Sequence, residues 1–234
     1  MLQEINAVIF DLDGTLIDSM WMWKEIDIEY LDRFGIPLPP GLQDDIEGMS
    51  FTETAGYFKE VIGIPLPLEE IKADWIRMAM DKYESQVPPK DGAFRFLKYL
   101  KEHNIRTGIA TSNSMDLVDA AMKGNRMGEF FDVILTGCSV ARGKPAPDIY
   151  LKVADELQVE TKSCLVFEDV PKGILAGKNA GMRVCAVEDE FSAHLRTQKK
   201  QLADYYIRTY DDIFDQTYEV LTHHNTNEVL THEQ

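Results

Sequence analysis

The most constraining feature of the chain is an acidic turn, Asp11-Leu12-Asp13-Gly14-Thr15, directly after the apolar run Ala7-Val8-Ile9-Phe10. Consecutive apolar residues without polar alternation fit a strand covered on both faces, the environment of a parallel sheet. Side chains alternate along a strand, so Asp11 and Asp13 project toward the same side at its C-terminal end. Two carboxylates held there repel each other, and a divalent cation removes much of that cost. Gly14 lets the backbone turn sharply away. The arrangement suits a nucleophile and an acid/base partner sharing one metal. Asp and Gly are also ordinary turn residues, so a purely structural turn competes with this reading. A calcium loop of the EF-hand type does not: counted from Asp11, it needs Gly and Glu where Leu16 and Met22 stand.

The rest of the chain supplies the setting. Its 234 residues fit one large domain or a domain carrying an insertion. The net charge of −16 argues against nucleic acid or an anionic membrane as partner, because binding phosphate backbones needs clustered Lys and Arg. It leaves room for a small phosphorylated substrate, since a metal supplies positive charge locally. Cys138, Cys164 and Cys185 form no C-x-x-C pair, and their odd number suits a reducing compartment. Cys164 and Cys185 fall in strand-like apolar runs and read as core. Met1-Leu2-Gln3-Glu4 shows no basic n-region or apolar h-region, and no stretch approaches a membrane span. A cytoplasmic protein, monomeric by its size, is expected.

Residues 18–87 read as helices broken at Pro37, Pro39, Pro40, Pro65 and Pro67, with Met20, Trp23, Tyr30, Leu31 and Phe34 near helical spacing. Trp21, Trp23 and Trp75 read as bundle core ahead of cavity lining. From Val87 onward the pattern changes. Strand-like runs at Arg106 to Ala110, Val133 to Leu135, Leu165 to Phe167 and Val184 to Val187 alternate with helical stripes. Alternation of this kind indicates an α/β fold, a three-layer doubly wound parallel sheet. Tyr205-Tyr206-Ile207 would add a last strand. The expected division is a core of 1–17 and 88–218, an inserted α-helical cap of 18–87, and a polar C-terminal tail of 219–234. Two linkers can act as a hinge for the cap. His223, His224 and His232 read as part of a solvated tail.

In an open parallel sheet ligands sit beyond the carboxyl ends of the strands, where three further motifs fall. Thr111-Ser112-Asn113 offers a hydroxyl and free backbone N–H groups to an anion, although the same residues are ordinary N-caps. Gly143-Lys144-Pro145-Ala146-Pro147-Asp148 presents a lysine able to neutralise a phosphoryl group and a carboxylate nucleophile, with prolines preparing a helix start. A phosphate-loop NTPase reading fails, because Gly137 to Lys144 is one residue too long and Pro145 replaces the required Ser or Thr. Glu168-Asp169 ends an apolar run. Magnesium prefers oxygen ligands and keeps waters and a substrate phosphate. Asp169, Asp11 and the backbone carbonyl of Asp13 would meet that need, with Glu168 beside the metal or holding its waters.

These four motifs, in this order, resemble those of the haloacid dehalogenase superfamily over the core from Ile5 to Val187. The insertion after the first motif is similar to the helical cap of the beta-phosphoglucomutase-like subfamily. Val170 departs from the Ser common after the Glu-Asp pair there. The resemblance implies that Asp11 attacks phosphorus to form an aspartyl phosphate. Asp13 would protonate the leaving oxygen and then take a proton from water. Thr111, Ser112, Asn113 and Lys144 would hold the transferring group, with Mg2+ as cofactor.

The resemblance leaves phosphatase and mutase to be separated. The mutases carry a cap His and a Lys-Gly-x-Ser-Arg type segment for a second phosphate. Here the matching places are Trp23 and Glu47-Gly48-Met49-Ser50-Phe51. Acidic and aromatic residues cannot grip a second phosphate, and Thr15 is usual in the family's phosphatases. Hydrolysis of a small phosphomonoester is therefore expected over sugar-phosphate isomerisation. A phosphonoacetaldehyde hydrolase would need a Schiff-base Lys in the cap, and Lys24 has no advantage over a solvated charge. A non-catalytic phosphate-binding module is the reading from another class, disfavoured because every expected polar group is present.

Overall fold

The computed structural model describes residues 1–221. The apolar run at the N-terminus is strand β1 (Ala7–Phe10), fully buried, at the centre of the sheet. Its neighbours are β2 (Arg106–Thr111) and β4 (Cys164–Glu168), both parallel to it. Outside them lie β3 (Val133–Thr136), β5 (Arg183–Val187), β6 (Tyr205–Ile207) and β7 (Glu219–Val220). The order is β3-β2-β1-β4-β5-β6-β7, parallel throughout except for β7, which runs antiparallel to β6. The connections reverse direction at β1, so the crevice beyond β1 and its neighbours is the topological switch point.

Alternation along the strands divides the core in two. Val8, Phe10, Leu165 and Phe167 face one side, and Ala7, Ile9, Cys164 and Val166 face the other. The first side is covered by α5 (Ala93–Glu102) and α6 (Met115–Asn125), the second by α7 (Asp148–Leu157) and α8 (Pro171–Asn179). Phe10 and Phe167 stack at 5.3 Å between centroids. Each is fully buried, which contributes roughly 1.5–3 kcal/mol per side chain. Cys164 and Cys185 are buried and unpaired, as core residues should be, and Cys138 is exposed.

Between β1 and α5 the chain forms α1 (Met20–Asp32), α2 (Leu42–Ile46), α3 (Phe51–Tyr57), a π-helical turn at Phe58–Ile62 and α4 (Leu68–Ser85). Pro37, Pro39 and Pro40 fall between α1 and α2, and Pro67 stands directly before α4, where a missing N–H costs nothing. α3 begins with a capping box, Ser50 and Glu53 each accepting the other's backbone N–H. The two chain crossings into this helical segment are bonded to each other: Asp18 N–H donates to Pro88 O and Lys90 N–H to Leu16 O, both at 2.9 Å.

The structure differs from the sequence reading at the C-terminal end. That reading opens a polar tail at residue 219, whereas Glu219–Val220 pair with β6 and Leu221 N–H donates to Asp204 O at 2.9 Å. Edge pairing satisfies backbone groups whatever the polarity of the side chains, so composition gave no sign of it. His223, His224 and His232 lie outside the described residues. Among the described residues no helix is long and apolar enough to cross a membrane.

Candidate active site

The site begins where β1 ends. Asp11 N–H donates to Phe167 O at 3.0 Å, which fixes the ends of β1 and β4 side by side. The chain then turns at Gly14, whose φ of 76° favours glycine. Space demands glycine as well, since a Cβ there would lie 2.4 Å from Asp169 Oδ2. The next residue, Thr15, donates its hydroxyl to Asp169 Oδ1 at 2.9 Å. Asp11, Glu168 and Asp169 thus come together, each buried, with ligand oxygens within 4.8 Å of one another.

Lys144 lies among them. Its Nζ donates to Asp11 Oδ1 at 2.6 Å, Glu168 Oε1 at 2.5 Å and Ala110 O at 3.1 Å. Burial favours a neutral amine, but Asp11 and Glu168 outweigh it and hold the Lys144 pKa above its ordinary value. Burial pushes the Asp11 carboxyl well up, against the pull of Lys144. Asp169 is raised to about 8 by burial and then by Glu168 and Asp189, with Lys199 and Thr15 opposing. A raised carboxyl pKa in a buried acidic cluster marks charge without enough compensation. Asp169 Oδ2 supplies the second sign: it is buried and has no hydrogen-bond partner among the described residues. Clustered carboxylate oxygens with one orphan fit a hard divalent cation such as magnesium.

Glu168 is more constrained than its neighbours. It accepts from Lys144, from Tyr150 Oη at 2.7 Å and, through Oε2, from Asp169 N–H at 3.1 Å. Any Cβ on Gly173 would lie 2.0 Å from its carboxylate. Those bonds make Glu168 the holder of Lys144 as well as a member of the acidic cluster.

Asp13 points into a different set of partners. Its Oδ1 accepts from Ser19 Oγ at 2.6 Å and from the Tyr83 hydroxyl, and its Oδ2 accepts from Asn113 Nδ2 at 2.8 Å. Tyr83, on α4, is fully buried and accepts from Trp23 Nε1 at 2.9 Å and Asn113 Nδ2 at 2.8 Å. Burial, followed by the charge of Asp13, holds its phenol well above the ordinary range. Asn113 is read from sequence as a phosphate holder, yet its amide is committed to Asp13 and Tyr83, and its Oδ1 accepts Ser114 N–H. Thr111 Oγ1 accepts Asn113 N–H at 3.1 Å. Ser112 ties the core to α3, its carbonyl accepting Phe51 N–H at 2.8 Å.

One cavity receives Asp11, Asp13, Thr111, Ser112, Lys144 and Asp169 from the strand ends, together with Asn113. Glu168 lies behind it. The helical segment closes the opposite side with Trp23, Asp27, Glu47, Phe51 and Trp75. Trp23 and Trp75 therefore serve as packing and as cavity wall, while Trp21 is exposed. Lys24 is exposed and Val170 forms part of the wall. Ser19, Tyr83, Tyr150, Lys199 and Ser192 escape the sequence reading. Lys199, fully buried, donates to Val187 O and Ser192 Oγ, and Ser192 Oγ donates to Asp169 O at 2.9 Å. Only Tyr150 had a nearby signal, two residues past Asp148 in the lysine motif.

The chain belongs to the haloacid dehalogenase-like hydrolases: the family model matches residues 8–187. It is 32% identical over 186 residues to a bifunctional riboflavin kinase/FMN phosphatase of Arabidopsis thaliana, covering 78% of this chain and 48% of that protein. The chain thus spans about half the length of that relative. It is 30% identical over 217 residues to a probable pseudouridine-5'-phosphatase of Drosophila melanogaster, covering 88% of this chain and 93% of the relative. A crystallised beta-phosphoglucomutase of Clostridium difficile shares the fold with a TM-score of 0.76 at 20% identity, covering 91% of this chain and 96% of that one. The two chains share their fold over nearly their whole lengths, helical insertion included.

Proposed function

We propose that the protein is a magnesium-dependent phosphatase acting on a small phosphomonoester through an aspartyl phosphate on Asp11. The observation that carries this reading is the buried group of Asp11, Lys144, Glu168 and Asp169 with the unpartnered Asp169 Oδ2. The named phosphatases among its relatives support it. Asp11 and Asp169 would hold magnesium, with the Asp13 carbonyl as third protein ligand and Glu168 beside it. When bound, magnesium offsets negative charge on the phosphoryl oxygens.

The remaining chemistry belongs to the chain. Lys144 keeps Asp11 in place and offers its charge to the transferring group. A carboxylate oxygen of Asp11 attacks phosphorus as the ester oxygen leaves, and Asp13 gives that oxygen its proton. Asp13 then takes a proton from the water that attacks the aspartyl phosphate, releasing phosphate and restoring Asp11. Thr111 and Ser112 line the cavity where the phosphoryl group would sit, and Asn113 orients Asp13. Residues 18–87 act as a cap on the core of 1–17 and 88–218, hinged at the paired linkers. The protein works as a cytoplasmic monomer in this reading.

Isomerisation of a sugar phosphate is the weaker reading. Glu47 lines the cavity where a second phosphate would need a cation, and it accepts Lys172 N–H at 2.7 Å. Burial raises the Glu47 carboxyl pKa, the Lys172 contacts opposing. Phosphate release from a panel of metabolite monophosphates, with and without magnesium, tests the proposal. Metal-dependent release supports it. Conversion of beta-glucose 1-phosphate to the 6-phosphate without free phosphate would favour the mutase.

A further inference from the structure

Two polar groups on the cap side of the cavity have no part in the proposed phosphoryl transfer. Asp27, on α1, lines the cavity and is 6% exposed. Its Oδ2 accepts a 2.7 Å hydrogen bond from Gln43 Nε2, itself a lining residue, and the carboxyl makes no other hydrogen bond or ion pair among the described residues. Trp75, on α4, also lines the cavity, and its Nε1 is buried without a partner among the described residues. Trp23, Met49 and Phe51 line the same cavity; the Trp23 N–H is given to Tyr83, and the other two side chains offer no donor.

Buried polar groups are costly unless hydrogen-bonded. The Gln43 bond links α1 to α2 through one carboxylate oxygen and leaves the other without a partner among the described residues. Asp27 sits inside α1 rather than at its start, and no Lys or Arg among the described residues reaches it. Burial pushes its carboxyl up to about 7, against the Gln43 bond, which shows how little of its solvation the protein replaces. The cation inventory of the wall narrows the missing partner. Among the described lining residues only Lys144 and His194 can carry positive charge; Lys144 is held by Asp11 and Glu168, and His194 lies 3.8 Å from Asp44. A second anionic group on the ligand would meet Asp27, Asp44 and Glu47 unaided. An uncharged donor fits, and a hydroxyl can donate to Asp27.

We propose that Asp27, oriented by Gln43, is a specificity-determining residue that accepts a hydrogen bond from a hydroxyl on the uncharged part of the substrate. The proposal rests on the phosphatase reading and adds to it a preference for hydroxyl-bearing monophosphates. Sites built to bond a substrate hydroxyl reject the analogue lacking it far more strongly than apolar pockets reject an extra methylene.

The test compares kcat/KM for polyol monophosphates with that for carbon-matched alkyl monophosphates, in the presence of magnesium. The parent enzyme should favour the polyol set by roughly 10-fold or more. Asp27→Leu should lower that polyol-to-alkyl ratio by roughly 10- to 100-fold, and Asp27→Asn, which keeps an acceptor oxygen, should restore most of it. A parent enzyme with no preference overturns the proposal even if no variant folds, and so does an Asp27→Leu enzyme with the parent ratio. Phosphate release at equal rates from both sets overturns this proposal and leaves the phosphatase reading standing. No release from either set overturns both.

Discussion

Around one cavity the core contributes Asp11, Thr111, Lys144 and Asp169, whereas the cap contributes Trp23, Asp27, Phe51 and Trp75. The core groups are bonded to one another across long stretches of chain. Lys144 alone joins the ends of β1, β2 and β4. The cap groups are packed against one another as aromatics, Phe51 lying 5.5 Å from Trp75 and 6.3 Å from Trp23. Their polar atoms remain partly unpaired. The core network is a buried set of charges that hold one another in place, with Asp169 Oδ2 left open among the described residues, and it tolerates almost no change. An aromatic wall with spare polar atoms can be revised residue by residue, which is where selectivity among substrates can change without loss of the chemistry.

The sharpest way to break this contrast is Lys144→Met. It leaves Asp11 and Glu168 buried without their cation, and the expected loss is about 3–5 kcal/mol of stability with activity down by at least ~10^2-fold. Urea unfolding and phosphate release measure the two. A cap change such as Phe51→Ala costing as much activity would erase the distinction. Gly173→Ala comes next. The added Cβ would overlap the Glu168 carboxylate, displacing the holder of Lys144 at a cost of about 1–3 kcal/mol, read from the unfolding midpoint.

Asp27→Asn sharpens the comparison through pH. The folded-state pKa of Asp27 is about 7, raised by burial from an ordinary value of 3.8. Between those values the folded chain binds more protons than the unfolded one, so stability falls as pH rises. The penalty is absent below the ordinary carboxylate range and complete above about pH 7. Asp27→Asn should therefore be more stable than the parent at pH 8, by about 1–3 kcal/mol, and equal to it near pH 4. Thermal melts at the two pH values check this. Tyr83→Phe gives the smallest effect, about 1 kcal/mol. Its mark is a rate loss of up to ~10-fold on alkyl esters and little on p-nitrophenyl phosphate, because only a poor leaving group needs the proton that Asp13 is proposed to give.

The same contrast governs what could be read from the chain. The floor of the site was legible because Asp11 and Asp169 directly follow apolar strands, whose ends share one edge in a parallel sheet, and because Lys144 stands in a proline-rich motif ahead of a helix. Asp11, Lys144 and Asp169 needed no knowledge of side-chain packing. The partners of Asp13 were hidden because Tyr83 reaches it from a helix 70 residues away, and nothing local separates that tyrosine from a core aromatic. Trp23 and Trp75 fill a helical stripe and a cavity wall at once, so the periodicity that marked them as core was correct without excluding the other role. Asp27 alternates with the exposed Glu25 and Glu29 on α1, so nothing in the sequence sets it apart from a solvated acidic residue until its burial is known. β7 was missed because a two-residue edge strand carries no pattern.

Central to this account is a covalent phosphoryl group on Asp11. Acid quenching during turnover of a phosphomonoester with magnesium, followed by borohydride reduction and peptide mass analysis, reads it directly. Homoserine in place of Asp11 is the predicted result, because borohydride reduces an acyl phosphate and leaves a free carboxylate intact. Unmodified Asp11 under conditions of steady phosphate release, or homoserine at another carboxylate, would contradict the assignment.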